Sequence, residues 1–379
     1  MKAILALILA QFSLGLAAQQ TIYDSIEHDG IKRSFILYVP ANYSGKIDVP
    51  LLFNFHGYSS NAHDQMFYGD FRPLADTAGF LIVHPQGTKL NGITHWNVGG
   101  WTVGSTVDDV GFTEALLDTL SAHYRIDSMR VYATGMSNGG YMSLLLACQL
   151  SQRMAAVASV AGSMTPEMYN QCDPQRPVAV MQIHGTADGI VPYNGTGWSL
   201  SIKKVLEYWV AANHCNEEAR VEVIPDINPN DGSTVEHLIY SGGDKGVAVE
   251  HFKILGGGHT WPGTKFGSNG TNYDIDASAE VWRFLSRYSL NGRRINLGLK
   301  TAPAYEKDVR IYPNPVHSTL HFRASDYNND RYRLYSFYGV MLLSGRAKAG
   351  KIDIDFSLLP PGIYMLRQQD QNYRIVHVK

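Results

Sequence analysis

The sequence predicts an α/β architecture, a mostly parallel sheet with helices on both faces, followed by a small all-β sandwich. Three observations carry this. From Thr21 to Tyr288, short β-branched or apolar runs alternate with helix-period segments, the pattern of strands joined by covering helices. Several runs, such as Leu51 to Phe55 and Phe80 to His84, are apolar but for one residue, Asn54 and His84 respectively, which suits strands buried on both faces. From Val309 onward the helix signals stop, and short alternating runs recur between turn residues, as in a β-sandwich.

Composition narrows the function classes. The chain has 379 residues, 45% hydrophobic and 17% charged, enough for a large core and about two domains. A formal net charge of -2 gives no electrostatic case for nucleic acid or an anionic membrane surface. Met1-Lys2, the apolar run Ala3 to Leu16 and Ala17-Ala18 read as a secretory signal peptide over residues 1–18, too short to span a bilayer. No later stretch is long and apolar enough for a membrane helix. The mature chain is therefore expected to be exported. Of the three cysteines, Cys148 and Cys172 bracket one strand and its loop and are expected to pair, leaving Cys215 single. None of their spacings suits a metal site, and none is expected.

Taken in order, Thr21 to Glu27 and Ile31 to Val39 form a hairpin about Asp29-Gly30. The buried strand Leu51 to Phe55 ends at His56-Gly57-Tyr58, a helix covers part of Asp64 to Ala78, and Phe80 to His84 is the next strand. Asn91 to Thr106 is a glycine-rich loop carrying Trp96 and Trp101, after which Asp108-Asp109 cap a helix to about Tyr124. Strands are expected at Ala155 to Val160, Val178 to Ile183, Arg220 to Ile224, Thr234 to Tyr240 and Val249 to Leu255. Helices are expected at Ser199 to Ala212 and Ala277 to Tyr288.

One stretch carries the chemistry. Arg130 to Thr134 reads as a strand that breaks at Gly135-Met136-Ser137-Asn138-Gly139-Gly140, and an apolar helix follows from Tyr141. A Gly-x-Ser-x-Gly turn between strand and helix exposes its serine at the carboxyl edge of a sheet, with a helix amino terminus behind it. Ser137 is the candidate nucleophile. A serine hydroxyl needs a base, and the base needs an orienting carboxylate. In such a sheet the chain order is Ser, acid, His. Asp188 follows the strand Val178 to Ile183, and His259 follows the strand Val249 to Leu255 in a glycine-rich loop. They are the candidate acid and base. Asp108, Asp109 and Asp127 are rivals that read better as caps or turns, and His56, His84 and His184 read as packed or hydrogen-bonding residues at strand ends. The backbone amides of Asn138 and Tyr58 are the candidate oxyanion donors. Trp101, in the glycine-rich loop, and Trp261, two residues after His259, are the candidate substrate contacts.

His56-Gly57, Asp108-Asp109-Val110-Gly111-Phe112, the Ser137 turn, His184-Gly185-Thr186-Ala187-Asp188 with Val191-Pro192-Tyr193, and Gly257-Gly258-His259-Thr260-Trp261-Pro262-Gly263 occur in that order. Together they resemble the secreted polyhydroxybutyrate depolymerase and feruloyl esterase family of α/β-hydrolases, over about Thr21 to Tyr288. The resemblance implies an α/β-hydrolase fold and a serine carboxylesterase, with triad roles on Ser137, Asp188 and His259. Its substrates would be ferulate esters of plant cell wall, polyhydroxyalkanoate chains or acetylated polysaccharide, with no cofactor. Relatives often carry more cysteines, including in the loop spelled here Trp96 to Trp101.

The tail shows Tyr312-Pro313-Asn314-Pro315, then Leu334 to Gly339, then Leu358 to Tyr364. It resembles the carboxy-terminal sorting domain of type IX secretion, which implies that secretion machinery as a partner and a location outside the cell or on its surface. A carbohydrate-binding sandwich is the alternative. The expected organisation is a signal peptide (1–18), a catalytic domain (19–289), a linker (290–304) and a sorting domain (305–379). A peptidase on the same scaffold, an acetylxylan esterase, and a non-catalytic binding module remain alternatives.

Overall fold

The computed structural model describes residues 19–294 and, nearer the C-terminus, 311–312, 315–323, 331–336, 341–346, 351–368 and 371–378. The expected signal peptide, most of the expected linker and the Tyr338-Gly339 turn lie outside the described residues. The chain divides into two compact units, Met1–Ile295 and Asn296–Lys379.

In the first unit ten strands form one sheet. They are β1 (Gln20–His28), β2 (Ile31–Val39), β3 (Val49–Phe55), β4 (Leu81–Pro85), β5 (Ile126–Met136), β6 (Ala156–Val160), β7 (Ala179–Gly185), β8 (Arg220–Ile224), β9 (Thr234–Tyr240) and β10 (Val249–Leu255). Their spatial order is β1-β2-β4-β3-β5-β6-β7-β10-β9-β8. The central run from β4 to β10 is parallel, with antiparallel pairs at both edges. The helices are α1 (Ala62–Tyr68), α2 (Arg72–Ala78), α3 (Asp109–His123), α4 (Asn138–Gln149), α5 (Pro166–Gln171), α6 (Ile202–Ala212) and α7 (Ala277–Leu285).

Side-chain alternation splits the core into two layers. Leu51, Phe53 and Phe55 of β3 join Val131 and Ala133 of β5 under α3, α4 and α6. Leu52 and Tyr132 point the other way, into a layer closed by Phe71, Ala75, Val281 and Phe284. Period-2 alternation with both faces apolar is why these strands read as near-continuous apolar runs.

Four local features differ from expectation. The helix expected within Asp64 to Ala78 is two short helices broken at Gly69-Asp70. Pro73 fits only a first turn, because it lacks an N–H. The glycine-rich loop is preceded and entered by a small hairpin, Thr88–Leu90 with Ile93–His95. Helix α5 was not expected; Thr165 caps it by accepting from Met168 N, and Pro166 opens it. Residues 290–294, read as the start of a linker, belong to the first unit. Gly292–Arg293 pairs with Tyr288–Ser289, and Leu290 N donates to Met129 O.

In the second unit, a three-stranded sheet (Ile311–Tyr312, Thr319–Arg323, Lys351–Asp355) and a four-stranded one (Met341–Arg346, Arg331–Ser336, Gly362–Gln368, Gln371–His377) share one core. Leu320, Ile352 and Ile354 of the first meet Leu334, Leu366 and Ile375 of the second. That is a face-to-face sandwich. No helix among the described residues is long and apolar enough to cross a membrane.

Candidate active site

Strand β5 ends at Met136 and α4 begins at Asn138, leaving Ser137 to make the whole turn with φ 55° and ψ -118°. A non-glycine residue there stores strain of about 1–3 kcal/mol. The turn is held on both sides: Ser137 N donates to Val160 O at 2.8 Å, and Tyr141 N to Ser137 O at 3.0 Å. A Cβ on Gly135 would lie 2.6 Å from the Gly139 and Phe55 carbonyl oxygens. Only glycine lets the helix start pack so close to the strand ends.

Asp188 leaves the end of β7 and His259 the end of β10, and these strands are parallel neighbours. Ala187 N donates to Gly257 O at 2.9 Å and ties the two loops together. His259 Nδ1 lies 2.7 Å from Asp188 Oδ2. The other oxygen, Oδ1, accepts from Ile190 N and Val191 N at 2.9 and 2.8 Å. His184 Nε2 is 2.8 Å from Val191 O and 3.3 Å from Asp188 Oδ2. Burial alone would raise the Asp188 carboxyl, but the hydrogen bonds from His184 and His259 outweigh it and hold the group well below the usual carboxylate range. With Nδ1 committed to Asp188, Nε2 is the ring nitrogen that His259 has left for a substrate proton.

Ser137 and His259 line one pocket of about 650 Å³. Its walls include Tyr58, Phe67, Tyr68 and Phe266. Gly57 lies against the candidate nucleophile, since a Cβ there would meet Ser137 Cβ at 3.5 Å. Of the two candidate substrate tryptophans, Trp101 does not line this pocket. It stands behind Tyr58 at 5.7 Å between ring centroids and continues to Trp198 at 6.2 Å. Trp261 is a correction: it is 1% exposed, packs edge-on to Phe71 and donates from its indole to Ser278 Oγ. Gly69 makes room for the ring in the core, since a Cβ there would lie 2.9 Å from it.

Among the rivals, Asp109 is 1% exposed and paired with Arg33 at 2.5 Å, Asp108 caps α3 by accepting from Gly111 N, and Asp127 pairs with Arg130. His56 is buried and pushed down to about 4 by desolvation, which keeps it neutral. Cys148 and Cys172 form a disulfide, and Cys215 is free and buried. The pocket aromatics Phe67, Tyr68 and Phe266 were not singled out in the sequence. They sit in α1 and in the long loop after β10, where nothing separates a wall aromatic from a core one.

Residues 33–189, which hold the candidate nucleophile and acid, match the family described as esterase PHB depolymerase. The protein described as "Putative esterase NocK" of Nocardia uniformis subsp. tsuyamanensis is 30% identical over 57% of this chain and 67% of its own length. The chain belongs to the esterase PHB depolymerase family. Other relatives from that comparison are a bifunctional acetylxylan esterase/xylanase of Neocallimastix patriciarum and feruloyl esterase B of Piromyces equi. The first is 27% identical over 72% of this chain and 36% of its own length, the second 28% over 68% and 46%. This family member thus spans less than half the length of either. The acetyl xylan esterase of Aspergillus awamori superposes with a TM-score of 0.51 at 15% identity, over 71% of this chain and 98% of that one; the shared fold is that of an α/β-hydrolase. Residues 310–378 match the secretion system C-terminal sorting domain, so the family member is exported, to the cell surface or beyond.

Proposed function

We propose that this protein is a serine carboxylesterase whose acyl group is bulky, with feruloyl esters of plant cell wall first among its substrates. The observation that carries this reading is the His259–Asp188 contact of 2.7 Å beside a pocket that His259 and Ser137 share. Ser137 Oγ attacks the ester carbonyl while His259 Nε2 takes its proton. The carbonyl oxygen, now negative, is held by the backbone N–H groups of Tyr58 and Asn138. Collapse breaks the ester C–O bond, and the alcohol leaves with the proton from His259. Water then attacks the acyl-enzyme, His259 takes its proton and returns it to Ser137, and the acid departs. Asp188 stays ionised throughout and stabilises the imidazolium.

The pocket supports the acyl preference. About 650 Å³ walled by Phe67, Tyr68 and Phe266 exceeds what an acetyl group fills and suits a flat aromatic acid or a short hydroxyalkanoate chain. The test is a hydrolysis panel of methyl ferulate, nitrophenyl acetate, acetylated xylan, polyhydroxybutyrate film and a peptide anilide. The reading expects the highest kcat/KM on methyl ferulate. A preference for acetylated xylan moves the assignment to an acetylxylan esterase, film hydrolysis to a depolymerase, and anilide turnover to a peptidase.

A further inference from the structure

Trp96 is fully buried and touches both segments that carry the candidate oxyanion donors. Its indole N–H donates to His56 O at 2.9 Å. Its backbone N donates to Asn138 Oδ1 at 2.7 Å, and its carbonyl accepts from Asn138 Nδ2 at 3.1 Å. The ring packs edge-on to Phe55 and over His56, with centroids 5.0 and 4.9 Å apart. The next residue is pinned as well: Asn97 N donates to Asp109 Oδ2 at 2.7 Å.

His56 in turn grips the peptide that carries the Tyr58 amide. Gly87 N donates to His56 Nε2 at 2.9 Å, which leaves the ring proton on Nδ1. That Nδ1–H donates to Gly57 O at 2.7 Å. In a trans peptide the carbonyl and the N–H point to opposite sides of one plane. Holding Gly57 O toward the imidazole therefore turns the Tyr58 N–H the other way, on a segment that lies against Ser137.

We infer that His56 and Trp96 are positioning residues of the oxyanion hole: His56 sets the direction of the Tyr58 N–H, and Trp96 sets its spacing from the Asn138 N–H. The inference rests on the esterase reading above. Two separate loops supply the donors, and a donor misplaced by a fraction of an ångström loses much of its effect on the transition state. Trp96 is the one residue hydrogen-bonded to both donor-bearing segments among the described residues, through His56 O on one side and the Asn138 side-chain amide on the other.

The test uses the full chain with His56→Leu, His56→Asn and Trp96→Phe. It reads kcat and KM on nitrophenyl butyrate and affinity for a trifluoromethyl ketone, which becomes a tetrahedral oxyanion when the serine adds. His56→Leu is expected to lower kcat about 10²–10³-fold, the cost of one oxyanion donor, with KM little changed and ketone affinity falling in parallel. The acid limb of the pH profile stays where it is, because His259 is untouched. His56→Asn, which puts an N–H donor near the place of Nδ1, recovers part of the loss. Trp96→Phe keeps the ring and loses only the indole donor, and kcat drops roughly tenfold. If His56→Leu does not fold, the other two variants decide on the same readouts. Variants that keep kcat and ketone affinity, or that weaken substrate and ketone binding equally, overturn the inference while leaving an active esterase. A wild-type protein that hydrolyses no ester overturns the esterase reading and this inference with it.

Discussion

His259 Nδ1 and Asp188 Oδ2 meet at 2.7 Å across 71 residues of sequence. They meet because β7 and β10 are parallel neighbours, so their exit loops share one edge of the sheet. The Asp188 carboxylate is saturated there by two backbone donors and faces two histidines. Asp188→Asn would present an N–H₂ or a weak acceptor to His259 and lose the charge that stabilises its imidazolium. On nitrophenyl butyrate kcat should fall on the order of 10⁴-fold with the fold retained. A loss below about tenfold, or 1.4 kcal/mol of barrier, would remove Asp188 from the triad.

The Ser137 side chain makes no capping hydrogen bond to α4. Ser137→Ala should therefore abolish hydrolysis and fluorophosphonate labelling without lowering Tm. Ser137→Gly should be inactive too, but more stable than Ser137→Ala by about 1 kcal/mol, because φ 55° is a region glycine enters without strain. Urea unfolding of the two variants checks this, and equal stability would mean that the turn stores no strain at position 137.

Much of this was legible in the sequence because the candidate catalytic residues sit at strand ends. Apolar runs mark the strands, glycines mark the exits, and chain order then singles out Ser137, Asp188 and His259. What was not legible depends on packing in three dimensions. Trp261, two residues after His259, looks like a substrate contact, yet it is buried against Phe71. Trp96 looks like any loop tryptophan, and its bonds to residues 40 and 42 positions away have no local signature. The pairing of Asp109 with Arg33 spans 76 positions and is equally silent.

That pairing separates a structural aspartate from the candidate catalytic one. Arg33 and Asp109 are both buried and lie 2.5 Å apart. Asp109→Asn leaves a buried guanidinium without its counter-charge, at a cost of about 3–5 kcal/mol. The expected outcome is a large drop in unfolding free energy and a kcat loss far smaller than that of Asp188→Asn. The reverse pattern would exchange the roles of the two residues.

His84 is fully buried in β4, and neither ring nitrogen meets a partner at hydrogen-bonding geometry among the described residues. Desolvation pushes it down to about 3 from an ordinary 6.5. Between those values the unfolded chain binds a proton that the folded chain refuses. Its stabilising effect is therefore full above about pH 6.5 and is lost as pH falls toward 3, by up to about 1.4 kcal/mol per pH unit. His56 and His251, held down at about 4 and about 3 by burial, add to the same loss. His84→Met should flatten the acid side of the stability curve by close to one proton and cost little at pH 7. Unfolding free energies at pH 4.5, 5.5 and 7 test it; an unchanged slope would show that His84 does not resist protonation.

Every candidate catalytic residue lies in the unit that ends at Ile295, and the sorting domain match begins at residue 310. Deleting 296–379 should therefore leave kcat/KM on methyl ferulate unchanged in purified protein, since no group of the proposed mechanism is removed. In the native host the same deletion should stop passage across the outer membrane and leave active enzyme in the periplasm. Assays of cell, periplasm and medium fractions on one soluble and one insoluble ester read both effects from one experiment. Truncated enzyme in the medium would rule out sorting as the tail's role. Loss confined to the insoluble substrate would assign the sandwich to polymer binding, which its two-sheet core also permits. Sorting is the expected result because the family match covers nearly the whole of the tail, from residue 310 to residue 378.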